Sequence, residues 1–189
     1  KVGQVQLLPQ GKQVVAAVGL GPSEELGSSE LRNASAALAR ATTKHKSVSC
    51  DLAHISSLST DTAIRAVVEG MGLASYEFGY KSKKSEMQLN KVVLTGSTSA
   101  SNRKALDEAT AVLDAVMLAR DLVNEPGGSL TPAKFANKVS RMAKEKGLTV
   151  KVMDEAAIKR ARLGGVLGVN RGSTHPPRFV ELTYTPKEK

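Results

Sequence analysis

Residues 119–132 read ARDLVNEPGGSLTP, and this stretch fixes where one structural element stops and the next begins. Pro126 disfavours helical geometry at Glu125, which sets a helix stop near Asn124. Gly127 and Gly128 follow, residues that reach backbone angles other side chains avoid. Thr131 then offers a hydroxyl acceptor at an N-cap, and Pro132 has the fixed φ suited to a first helical position. Leu130 is placed to staple onto Phe135 across that cap.

Upstream, from Asn102, apolar residues recur at Ala105, Leu106, Ala109, Val112, Leu113, Val116, Met117 and Val123. Spacings of three and four predict one long helix over 102–124, many of its apolar residues small. Downstream, Phe135, Val139, Met142 and Ala143 are expected to face inward, Lys134, Lys138 and Arg141 outward, with Gly147 ending the helix. A long helix, a glycine-rich turn and a freshly capped helix mark a boundary between two domains.

The rest alternates strand and helix. Val5–Leu8 and Val14–Leu20 read as strands around a turn at Pro9, Gln10 and Gly11; a helix is expected over about Ser29–Thr43, a strand over Ser47–Leu52. Ser59 or Thr60 caps a helix with Ile64, Val67, Val68, Met71 and Ser75 inside, and Lys91–Thr95 is another strand. Beyond the boundary, Thr149–Met153, Val166–Val169 and Phe179–Tyr184 read as strands of a second sheet. Strands separated by helices predict an α/β fold with a mostly parallel N-terminal sheet flanked by helices. The expected organisation is an N-terminal α/β domain over 1–101, a linker helix over 102–126, and the opening segment of a second α/β domain over 127–189.

Composition narrows the class. At 189 residues, 41% hydrophobic and 24% charged, the chain is globular. Its one cysteine, Cys50, excludes an internal disulfide and suits a reducing compartment. No apolar run approaches the roughly 20 residues of a membrane-spanning helix. The net charge of +9, with nine basic against three acidic residues between Lys134 and Arg162, invites a nucleic-acid reading. Three Phe, three Tyr and no Trp leave few stacking platforms, however, so solvated helix faces explain these cations more simply.

Chemical motifs are thin. Gly19-Leu20-Gly21 follows a strand, but the next glycine is Gly27 and Pro22 intervenes, which breaks a dinucleotide loop. Gly164, Gly165, Gly168 and Gly172 lack the Gly-Lys-Ser/Thr ending of a phosphate cradle and read as tight turns beside a strand. His45, His54 and His175 sit at no ligand spacing, Cys50 reads as a small core residue, and Ser129 has no assignable base. Asp121 and Glu125 flank the helix end as either paired carboxylates, partners of Arg120, or backbone acceptors.

Residues 119–132 resemble the junction between linker and catalytic domain in the leucyl (cytosol) aminopeptidase family of dinuclear metallopeptidases. The likeness continues in order: Phe135–Lys146 resembles the first helix of that catalytic domain, Gly147–Val150 with Val152–Glu155 its next strand and turn, and Leu163–Ser173 (LGGVLGVNRGS) with Pro176–Phe179 the turn and strand before the metal site. Upstream, Tyr76–Lys84 (YEFGYKSKK) is similar to a segment of the family's N-terminal domain, itself similar to modules that bind ADP-ribose.

The resemblance implies a cytoplasmic enzyme, usually hexameric, that removes N-terminal residues, often leucine, from peptides. It implies two divalent metal ions, Mn or Zn, able to hold the substrate amine, polarise the scissile carbonyl and acidify a bridging water, with Lys and Arg stabilising the tetrahedral intermediate. The family would supply its metal ligands and catalytic arginine after Tyr184–Lys189, so none of those roles is carried onto a residue here: catalytic, cofactor-binding and metal residues are all expected to be none. The start, inside strand-like sequence without methionine, is expected to be clipped. The expectation is one inactive piece of a metallo-aminopeptidase. The competing readings are a DNA- or nucleotide-binding module and a non-catalytic assembly or regulatory subunit.

Overall fold

The computed structural model describes residues 1–54, 58–80 and 86–186. The chain divides into two compact units, Lys1–Asp121 and Leu122–Lys189.

The first unit opens with a hairpin of β1 (Val5–Gln10) and β2 (Gln13–Val18), paired antiparallel from Val5↔Val18 to Gln10↔Gln13. Gly11, at φ +59, starts the two-residue loop, and positive φ at that first position matches the twist of the flanking strands. Pro9 lies within β1 opposite Val14, so the turn is at Gly11-Lys12, later than the sequence suggested. A short 3₁₀ turn leads to α1 (Ser28–Ala41), whose first turn is closed by the Glu30 carboxylate accepting from the Gly27 N–H at 3.0 Å. After β3 (Ser47–Cys50) and a second 3₁₀ turn, Ser59 caps α2 (Thr60–Ala74) by accepting from the Thr62 N–H. Next come β4 (Lys91–Leu94) and α3 (Ala100–Asn124). The start of α3 is set by Ser99, whose Oγ accepts from the Asn102 N–H at 3.2 Å.

β3 and β4 pair in parallel, Ser47↔Lys91 to Cys50↔Leu94, with α2 as the crossover between them. The α/β class is therefore as expected, but the sheet is not the mostly parallel one: the described strands form separate two-stranded sheets, and β1–β2 is antiparallel because two residues cannot make a crossover. The core lies between α1, α2 and the β3–β4 pair, around Leu31, Leu38, Cys50, Ile64, Val67 and Met71, with Ala105 of α3 packed in. Leu31 and Val67 are fully buried, each worth about 1.5–3 kcal/mol of hydrophobic stabilisation.

In the second unit, Thr131 caps α4 (Pro132–Glu145) by accepting from the Lys134 N–H, with Pro132 in the first turn as anticipated. Gly147, at φ +69, closes the helix: the Leu148 N–H reaches the Ala143 carbonyl at 2.8 Å. α4 buries Ala136, Val139 and Ala143; Phe135, expected inside, is 39% exposed. β5 (Thr149–Met153) pairs antiparallel with β6 (Phe179–Thr183). Between them lie α5 (Glu155–Arg160), capped by Asp154 accepting from the Ala157 N–H, and α6 (Gly164–Asn170).

α6 corrects the sequence reading, which expected a strand over Val166–Val169 and turn glycines. A four-residue apolar run carries no period long enough to separate strand from helix. Here the local context decides: the Leu163 carbonyl accepts from the N–H groups of Val166 and Leu167 and starts a helical turn directly behind the α5 cap.

Candidate functional site

The glycine-rich boundary is built from local hydrogen bonds. The Pro126 carbonyl accepts from the N–H groups of Ser129 and Leu130, at 2.8 and 2.9 Å, and from the Ser129 hydroxyl at 2.9 Å. Ser129 thus holds its own turn and meets no base. Glu125, its side chain nearly buried, pairs with Lys138 on α4 and so pins the turn to the helix it leads into. Asp121 has a different partner: the Tyr76 hydroxyl donates to it at 2.8 Å. Arg120 donates to the Leu73 carbonyl at 3.1 Å and lies over the Tyr76 ring, 5.3 Å from its centroid. Tyr76, Arg120 and Asp121 thereby clamp the C-terminal part of α3 to the end of α2. Asp121 and Glu125 are two separate anchoring groups. The clamp escapes sequence reading because its members are more than 40 positions apart.

The histidines do not converge. The His45 N–H donates to the Thr42 carbonyl, His54 hydrogen-bonds the Thr95 carbonyl through Nε2 at 2.8 Å, and the His175 N–H donates to Ser173 Oγ at 3.1 Å. The His54 ring covers Gly96 so closely that a Cβ there would lie 1.6 Å from Nε2; glycine at φ +129 is the residue that fits. Cys50 is 4% exposed, and burial pushes its thiol upward, partly countered by the Leu52 backbone hydrogen bond. A thiol held protonated this way is a core group, as its strand position suggests.

The glycines have structural duties. Gly19 accepts from the Gly3 N–H and donates to the Gln4 carbonyl, and a Cβ on it would stand 2.3 Å from the Lys1 carbonyl oxygen. Close backbone approach explains Gly19 without a phosphate. Gly164, Gly165 and Gly168 lie in α6, where a Cβ would meet nothing within 4 Å. Of the Tyr76–Lys84 segment, Phe78 and Tyr80 stack at 5.1 Å, while Lys81–Lys84 fall outside the described residues, as do Lys187–Lys189.

Among the described residues, two concavities stand out. A groove of about 930 Å³ in the first unit runs between β2 and β3; a shallower one of about 580 Å³ in the second unit is lined by Pro132, Val166, Val169 and Arg178. Lys12, His45, Cys50 and Asp51 line the first groove together with Ser47 and Ser49, but the Cys50 thiol there is the buried, protonated group already described. Among the described residues no group of three or more His, Cys, Asp or Glu side chains could hold a metal ion. The donor set of the described residues does not fit a dinuclear centre.

Two α/β units connected in sequence through α3, carrying anchoring contacts and helix caps, define an α/β protein. The cytosol aminopeptidase family supplies the match: the model of its N-terminal domain fits residues 1–84 and that of its catalytic domain fits residues 117–189. The chain belongs to that family. It is 39% identical over 181 residues to a probable cytosol aminopeptidase of Nocardia farcinica and 40% identical over 185 residues to one of Mycobacterium tuberculosis, alignments covering 93% and 95% of this chain. It spans 35% of the length of each. Among solved structures it is similar to the bottromycin maturation enzyme BotP in complex with Mn, with a TM-score of 0.89, 37% identity, and coverage of 98% of this chain and 40% of that one. A mutant of tomato leucine aminopeptidase superposes with a TM-score of 0.85 at 27% identity, covering all of this chain and 39% of that one.

Proposed function

We propose that this polypeptide serves as part of a metal-dependent aminopeptidase that hydrolyses N-terminal residues, leucine among them, from peptides in the cytoplasm. In this reading residues 1–101 form an N-terminal domain of macro-domain-like type, 102–126 a linker helix, and 127–189 the opening of the catalytic domain. The observation that carries it is the order of the two family matches, N-terminal domain over 1–84 and catalytic domain over 117–189.

The two divalent ions, Mn or Zn, are assigned to polypeptide outside these 189 residues, since the described His, Cys, Asp and Glu side chains are dispersed, with no group of three or more placed to hold a metal ion. What this chain contributes is placement. The Tyr76–Arg120–Asp121 clamp fixes the end of α3 in the first unit, and the Glu125–Lys138 pair with the Pro126 turn fixes the start of α4 in the second. The functional assembly is a homo-oligomer, a hexamer by family likeness.

The test is release of p-nitroaniline from leucine p-nitroanilide with added manganese. The 189-residue chain should show no turnover, and a polypeptide of the relatives' length should. Turnover by the short chain refutes the division of labour proposed here; an inactive long polypeptide, folded and loaded with metal, refutes the peptidase reading itself.

A second reading, DNA binding, draws on the cation-rich second unit, where Lys134, Arg141, Lys144 and Arg171 are exposed.

A further inference from the structure

We draw no further inference here: the strongest candidate, the outward face of α3 where Val112 and Val123 lie 52% and 83% exposed with the exposed Ala115 and Ala119 between them, is an apolar stripe at helical spacing, and nothing in the structure shows what covers it.

Discussion

Two helix ends in this chain are built alike and differ at one residue. After α4, the N–H groups of Gly147 and Leu148 return to the carbonyls of Lys144 and Ala143; after α5, those of Arg162 and Leu163 return to Lys159 and Ile158. The left-handed position is filled by Gly147 at φ +69 in one and by Arg162 at φ +54 in the other. A side chain there costs about 1–2 kcal/mol, against about 0.5–1 kcal/mol that glycine loses through unfolded-chain freedom. Arg162→Gly should therefore raise stability by about 0.5–1 kcal/mol and Gly147→Ala lower it by about 1 kcal/mol, read from urea midpoints. A loss with Arg162→Gly would show that the arginine side chain has a use worth the strain. Cys50 gives a pH-dependent counterpart. Its thiol is held above the ordinary value of 9.0 by burial, so the unfolded chain gives up this proton first as pH rises. Its contribution is complete below about pH 9 and declines as pH climbs from there towards the raised folded value; Cys50→Ala should flatten that part of the stability–pH curve.

Between elements, backbone proximity decides where glycine is required. In α2 a Cβ on Gly70 would lie 2.3 Å from the Arg32 carbonyl oxygen of α1 and 2.8 Å from Ser35 Cβ. Ser35 is buried and returns its hydroxyl to the Leu31 carbonyl at 2.8 Å, so it cannot yield cheaply. Helical Gly→Ala normally gains about 0.5–1 kcal/mol, but overpacking costs about 1–3 kcal/mol. Gly70→Ala should lose stability by about 1–2 kcal/mol, the overpacking cost exceeding the helical gain, whereas Gly165→Ala in open α6 should gain about 0.5–1 kcal/mol. Thermal unfolding of the pair checks both signs at once. The N-cap at Thr131 belongs to the same scale: Thr131→Ala removes the acceptor for the Lys134 N–H and should cost about 1 kcal/mol. Surface ion pairs such as Arg32–Glu69 at 2.7 Å, partly exposed on both sides, add little beside these terms.

For the molecule as a whole, net charge makes a prediction separate from peptidase activity. A surface that holds duplex DNA through the exposed cations of the second unit must weaken steeply between 50 and 200 mM salt, by at least about 10-fold if even a few phosphates are contacted. We expect no salt-sensitive complex in a gel-shift titration: the exposed Lys134, Arg141, Lys144 and Arg171 are read as solvated surface cations, and Lys138, Lys151 and Lys159 are paired with Glu125, Glu181 and Glu155. A steep salt slope would bring the DNA-binding reading forward.

Local chemistry was legible in the sequence where a residue type and its nearest neighbours settle the outcome. The caps at Ser59 and Thr131, the stop at Pro126, the left-handed Gly147 and the period of α1, α2 and α3 all follow from interactions within a few positions. The order of motifs along 119–179 was equally a property of sequence, and it pointed to the family before any coordinate. Tertiary structure decided whatever depends on residues distant in the chain. It turned Phe135 outward and gave Asp121 to Tyr76 and Glu125 to Lys138. Hydrogen bonds a few residues apart are written in the local order of side chains; which distant edge or hydroxyl completes a valence depends on where the fold carries it.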